Sequence, residues 1–354
     1  MSSQSCTGKA RFAWWQWLGW LAAIGALALS LGGWSVYSRT ATALRQAQTD
    51  VSSLWQLWRD SQEMAVVAHE GWTYVLALGS DELDNREHSY PMTDTIIIVA
   101  INTQAGVVNL LSLPRDLYSD GTRSRINSWY AAAGGGQDTD TARARVSEQI
   151  SELTGVPIDY TLVLTLAQVR RFIDLLGGVD VEVHTAFADE QFPREDVDTT
   201  SVFDPAALYE TVSFEAGWQH FDGATALKFM RSRHAQSAEG SDFARSARQQ
   251  QVISSIGTRV SEQLQTSLKA FDVSLLGRLY NFYSQELASQ ISMSVWLSML
   301  QKIVQNDTKI AINRQNLDVG PQTNITENAR DFTLHIRSLP QFRADVAAKL
   351  TKTD

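Results

Sequence analysis

Apolar positions along this 354-residue chain fall into one long uncharged run, several helical stripes and a series of short strand-like blocks. The run Phe12–Ser38 holds no charged residue and is long enough to cross a bilayer as a helix. Trp14, Trp15, Trp17 and Trp20 gather at one end, with Trp34 and Tyr37 at the other, as interfacial aromatic belts do. Lys9 and Arg11 precede the run on a short tail, so the positive-inside rule leaves the N-terminus in the cytoplasm and the rest outside. Arg39 and Arg45 follow and weaken that bias. Ala26-Leu27-Ala28 resembles a signal-peptide cleavage site, but apolar character continues past it, which favours an uncleaved anchor.

Residues 40–70 lack Pro and Gly and place Leu44, Val51, Leu54, Trp55 and Trp58 at near-helical spacing. This predicts a helical stalk whose Trp/Leu stripe packs on the domain or along the membrane. Strand-like blocks follow at 72–78, 95–101 and 107–113; the second is too continuous in Ile and Val to be half-exposed, and a short turn makes a hairpin of the last two. After a bend at Gly134-Gly135-Gly136 come a helix at 140–154, a strand at 160–164, a helix at 167–176 and an alternating strand at 179–183. Residues 184–210 are polar, acidic and irregular, and read as a mobile insertion. Helices start at Ala224 and Phe243; residues 270–354 suggest further helices and one strand at 309–312, with no chemical motif. The alternation predicts an α/β fold, a three-layer α/β/α sandwich with a central mixed sheet, preceded by one N-terminal transmembrane helix. The expected layout is a cytoplasmic tail (1–11), an anchor (12–38), a stalk (39–70), a main domain (71–270) and an extension packed on it (271–354).

The formal net charge of −9 argues against a nucleic-acid binder, whose affinity rests on neutralising phosphates. Cys6 is the lone cysteine, which excludes an internal disulfide and a thiolate metal cluster, and the six histidines show no metal spacing. Against that background, Phe229–Gln251 packs Arg231, Arg233, Arg245 and Arg248 close together, without Lys among the four. Permanently charged planar guanidinium groups grip phosphate oxygens in pairs. Ser241 or Asp242 can cap the following helix, which places Arg245, Arg248 and Gln249 on neighbouring turns of one face. The competing reading is a solvated charged helix face. Predicted strand ends add Asp81, Asp94 and Arg115-Asp116, with Arg123 and Arg125 beyond. Carboxylate oxygens here suit Mg²⁺ (or Mn²⁺), though Asp81 as a turn residue and Asp94 as a cap or edge charge are the plainer alternatives.

The order of these segments resembles the LytR–CpsA–Psr family. GSD at 79–81, TDTIIIVAIN at 93–102, LLSLPRD at 110–116 and RINSWYAAAGGG at 125–136 carry the likeness, as do DLLGGVDVEV at 174–183, FEAGWQHFDGATALKFMRSR at 214–233 and DFARSARQQ at 242–250. The resemblance covers about residues 70–255. It implies a membrane-anchored bacterial phosphotransferase that moves a glycopolymer from an undecaprenyl-pyrophosphate carrier onto peptidoglycan or, in some members, protein. By motif it implies Asp81 and Asp94 as Mg²⁺-associated carboxylates, Arg115, Arg231, Arg233 and Arg245 as a pyrophosphate clamp with Gln249 beside it, and Asp242 as the residue activating the acceptor hydroxyl. Many relatives carry an Arg two residues before the second aspartate and another close behind the first. Here Met92 and Glu82–Arg86 stand in those places, which makes Arg86 a candidate substitute. Two readings compete with the ligase: a lipid-pyrophosphate hydrolase, and a non-catalytic envelope regulator with an incomplete site.

Overall fold

The computed structural model describes residues 51–80, 91–135, 138–194, 197, 205–270, 274–287, 291–305, 311–328 and 333–353. The expected anchor at 12–38, Asp81 and Arg86 lie outside these residues, and among the described residues no helix is long and apolar enough to cross a membrane.

The branched blocks form the sheet's centre: β1 (Thr73–Ser80), β2 (Thr93–Asn102) and β3 (Val107–Ser112). They run antiparallel in sequence, with Val75 opposite Val99 and Ile98 opposite Leu111. The β2–β3 turn is tight because the Asn102 side-chain carbonyl accepts the N–H groups of Gln104 and Ala105, while Gly106 adopts a positive φ of 68°. Side chains alternate between faces, as a period of two requires. Leu76, Leu78, Ile96, Ile98 and Ala100 enter one core, and Val75, Val99 and Ile101 enter another on the opposite face.

Two parallel edge strands complete the mixed sheet. β6 (Tyr160–Thr165) flanks β1, and β11 (Ala311–Asn316) flanks β3, giving the order β11-β3-β2-β1-β6. Helices cover both faces. On the first lie α2 (Trp129–Ala132), α3 (Thr139–Thr154) and α9 (Leu339–Leu350); on the second, α8 (Met293–Gln305) and the segment after α1 (Val51–Glu63). Burying both faces excludes water from the ladder and explains the near-continuous Ile/Val runs.

A further apolar core sits beside the sheet. β7 (Val179–Val183) pairs with β10 (Gly217–Phe221), β8 (Phe187–Pro193) pairs with β9 (Tyr209–Phe214), and α4 (Leu166–Leu175) and α5 (Gly223–Arg231) pack alongside. Phe187, Phe214, Phe221 and Phe229 meet there at ring-centroid separations of 5.1 to 6.0 Å, within the range of favourable aromatic pairs. The long α6 (Asp242–Ala270) follows, then α7 (Ser274–Glu286); β4 (Tyr118–Ser119) with β5 (Ser124–Arg125), and β12 (Ile325–Asn328) with β13 (Thr333–Ile336), are small ribbons.

One expectation needs correction, and of the two placements expected for the Trp/Leu stripe one is excluded. The stretch 184–210 is not irregular throughout: β8 and the start of β9 make an antiparallel pair, because the alternation Phe187, Asp189 followed by a bulge before Phe192 turns one side inward. In α1, Ser61 and Gln62 face α8 through Gln301, whereas Trp55 and Trp58 stack on each other at 4.8 Å and remain exposed. The Trp pair therefore does not pack on the domain.

Candidate functional site

The β2–β3 hairpin sets the first part of the site. Asp94 is the second residue of β2, and the chain leaves β3 through Leu113-Pro114-Arg115-Asp116. Proline lacks an N–H and so favours leaving the ladder here. Backbone bonds from Asn127 N–H to the Arg115 carbonyl (3.2 Å) and from Ile126 N–H to the Leu117 carbonyl (2.9 Å) fold the segment to β5 back over this turn.

Charged side chains then interlock. Arg115 donates through Nη1 to Asp94 Oδ1 at 2.8 Å and through Nε to Asp116 Oδ2 at 3.3 Å. Arg125 Nη1 donates to Asp116 Oδ1 at 3.1 Å. From α6, more than a hundred positions along the chain, Arg245 Nη1 comes within 3.9 Å of Asp94 Oδ2 while only 5% of the residue is exposed. Among the described residues, the Asp94 and Asp116 carboxylates thus hold the Arg115, Arg125 and Arg245 guanidinium groups together, and clustered guanidinium groups suit phosphate oxygens. Asp116 joins two of the arginines, a role the sequence alone did not assign.

The second part is the α5–α6 loop. Arg231 ends α5 with its guanidinium 5.3 Å from the centre of the Phe192 ring, and Arg233 is exposed. Ser241 caps α6: its Oγ accepts the Ala244 N–H at 3.2 Å and its carbonyl accepts the Arg245 N–H at 3.0 Å. Asp242 is therefore the first helical residue and not the cap.

Arg248 does a different job from its neighbours. It is 3% exposed, and its Nε donates to the Phe229 carbonyl at 3.0 Å. Nη1 donates to the Glu239 carbonyl at 2.9 Å and carboxylate at 2.8 Å, Nη2 donates to the Ser232 carbonyl, and the group stacks over Phe187 at 4.7 Å. Burial draws its pKa below the usual guanidinium value, and Glu239 opposes that shift. Arg248 staples the loop from beneath. Gln249 is also buried; Gln250 ties α6 to β3 and β11 through Ser112 and the Gln315 carbonyl. Arg123, in a turn with φ of 53°, is exposed, and the ion pairs of Asp94 and Asp116 among the described residues run to Arg115, Arg125 and Arg245.

One residue under the loop was not foreseen. Asp189 of β8 is fully buried: its Oδ2 accepts the Ser232 hydroxyl (2.7 Å) and the N–H groups of Arg233 (2.9 Å) and His234 (3.1 Å), and its Oδ1 accepts the Gln191 N–H (3.0 Å). Burial alone would raise its pKa, but these four donors outweigh it and hold the carboxyl below the usual carboxylate range.

For a metal, Asp94 offers hard oxygens, and Ser80 lies opposite Thr93 in the β1–β2 register, so the chain neighbours of Asp81 and Asp94 are paired. Among the described residues no group of three or more His, Cys, Asp or Glu could hold a metal. A Mg²⁺ site using one or two carboxylates plus ligand phosphates needs no such group, and among the described residues Asp94 is a donor of the kind it requires.

A family model for the LytR_cpsA_psr family matches residues 38–338, and the chain belongs to that family. Similar curated proteins include the polyisoprenyl-teichoic acid–peptidoglycan teichoic acid transferase TagU of Bacillus subtilis, 29% identical over 240 residues that make up 67% of each chain. TagV of the same organism, a transferase of the same description, is 25% identical over 65% of this chain and 54% of its own. Among solved structures, the crystal structure of Bacillus subtilis TagV superposes with a TM-score of 0.53 at 19% identity, covering 81% of this chain and all of that one. TagT bound to LI-WTA gives 0.53 at 17% identity, covering 81% of this chain and 95% of that one. These structural likenesses establish the mixed α/β fold.

Proposed function

We propose that this chain is a phosphotransferase that moves a glycopolymer from a polyprenyl-pyrophosphate carrier to a peptidoglycan or other envelope acceptor. Family membership and the named activity of the relatives support the class. The observation that carries the site is the meeting of Arg115 and Arg245 on Asp94, with Arg125 joined through Asp116.

In this reading the acceptor hydroxyl attacks the phosphorus attached to the glycopolymer. A new P–O bond forms to the acceptor, the phosphoanhydride breaks, and polyprenyl phosphate leaves with the bridging oxygen. Such a reaction needs neutralised charge on both phosphates and a positioned nucleophile. Arg115, Arg231, Arg233 and Arg245 serve as the clamp, Arg123, Arg125, Gln249 and Arg86 as flanking contacts, and Asp242 takes the hydroxyl proton. A Mg²⁺ ion held by Asp94 with Asp81 would supply further neutralisation of the diphosphate. The donor's lipid tail fits an anchor at 12–38 with the main domain on the extracytoplasmic side of the membrane.

The test is a reaction of the purified chain with a polyprenyl-pyrophosphate-linked saccharide. Release of polyprenyl phosphate should depend on acceptor, which should gain a phosphodiester. Equal release without acceptor would identify a hydrolase; binding without any release would identify a non-catalytic regulator. A reporter fused after Asp354 should work only where extracytoplasmic activity is required.

A further inference from the structure

We infer that Asp189 is a positioning residue for diphosphate capture: it fixes the Ser232–His234 backbone so that Arg231 and Arg233 present side chains, rather than main-chain N–H groups, to the ligand. The inference rests on the phosphotransferase reading of the same loop.

Where α5 ends, the N–H groups of Arg233 and His234 point to one oxygen, a concave pair of donors of the kind that binds anions. Asp189 Oδ2 already occupies them, together with the Ser232 hydroxyl. The loop thus carries its own internal anion. A bridge between Asp189 and Ala235 extends the fixation beyond His234. From the other side, Arg248 holds the carbonyls of Phe229, Ser232 and Glu239. Main-chain donors are therefore satisfied by Asp189 and main-chain acceptors by Arg248. Arg233 is left exposed, and Arg231 is oriented over Phe192. An exposed loop held from both sides keeps long cationic side chains near one geometry, which lowers the ordering cost when an anion binds.

Asp189 touches no ligand in this account, so its signature is a loss of loop order together with weaker anion binding. Asp189→Asn, Asp189→Ala and Ser232→Ala provide a graded series. Two quantities decide: amide hydrogen exchange over 232–235, and affinity for farnesyl pyrophosphate as a short soluble probe, both taken well below the unfolding temperature. Exchange at Arg233 and His234 should accelerate about tenfold or more in Asp189→Asn, because charge-assisted bonds are lost. Affinity should fall by about the same factor, with Ser232→Ala showing the smallest change. If Asp189→Ala does not fold, the isosteric Asn variant decides alone. Unchanged exchange in Asp189→Asn overturns the positioning role; faster exchange with unchanged affinity overturns its link to diphosphate capture. A parent protein that neither binds the probe nor transfers would instead sink the phosphotransferase reading and with it the capture role, while the exchange data would still decide whether Asp189 fixes the loop.

Discussion

Arg248 and Arg233 lie fifteen positions apart in one basic segment, yet the structure gives them opposite roles, and replacing each by Ala separates those roles. Arg248→Ala removes a guanidinium that is almost wholly buried, together with every hydrogen bond it donates. The Phe229 and Ser232 carbonyls lose this donor and the Glu239 carboxylate its cation. The Glu239 side chain is 25% exposed, so the cost falls at the low end of the about 3–5 kcal/mol for breaking a buried pair by removing one partner. At roughly 2–4 °C per kcal/mol for a domain of this size, the melting temperature should drop by about 6 °C or more. Arg233→Ala removes an exposed side chain and should move it by no more than about 2 °C, consistent with surface substitutions near ±0.5 kcal/mol. Circular dichroism melts of both variants, paired with transfer assays at a temperature where both are folded, give the comparison. Arg233→Ala should lose turnover with stability intact, whereas Arg248→Ala should lose stability first. Equal melting temperatures for Arg248→Ala and the parent would refute the staple.

Further outcomes follow from the same geometry. Arg245→Ala should cut transfer about ten- to a hundredfold, from ~1.5–3 kcal/mol for one charge-assisted contact, and Lys should restore only part because it loses the paired geometry; turnover measured at saturating donor checks this. Asp94→Ala should lower activity in a way that added Mg²⁺ partly restores, and a parent enzyme indifferent to chelators would remove the metal assignment. Asp242→Asn leaves the Ser241 cap in place, so a fall of about 100-fold or more at saturating Mg²⁺ is expected for a general base; full activity would leave positioning and electrostatics as sufficient. Because Asp189 has a folded-state pKa below its unfolded value, its ionised form adds stability above the ordinary carboxylate pKa near 3.8, and that contribution is lost as pH falls through the depressed value. The acid limb of a denaturation profile below about pH 4 should therefore flatten in Asp189→Asn.

The sheet's centre was legible because its strands are buried on both faces, so their Ile and Val runs need no tertiary information to be read. The hairpin was legible from Asn102–Gly106, whose turn chemistry is local. The Arg cluster stood out by charge contrast, but its division of labour did not: Arg245 and Arg248 are identical residues one turn apart, and only the packing of Phe187 and the Glu239 carboxylate separates them. Asp189 hid within an acidic stretch, next to the exposed Glu190. The period-two placement of Phe187 and Asp189 on one side of β8 was the available signal, interrupted before Phe192 by the bulge. β11 was foreseen as a strand at 309–312, but its place against β3 depends on a pairing far along the chain, which no local pattern encodes.

That pairing dictates the order in which the molecule can be assembled. Asn313 bonds Asn109 across 204 positions, and Asn109 also donates to the carbonyls of Leu350 and Lys352. During synthesis the β3 edge emerges early and stays without its neighbour until Ala311–Asn316 has been made. Long-range parallel pairing of this kind is slow, and an uncovered edge is a template for another chain. A polypeptide cut short before Ala311 would therefore expose a sticky β3 edge even if every candidate site arginine were present. Quality control of this protein would accordingly discriminate on the segment from Ala311 onward, far in sequence from the chemistry it protects.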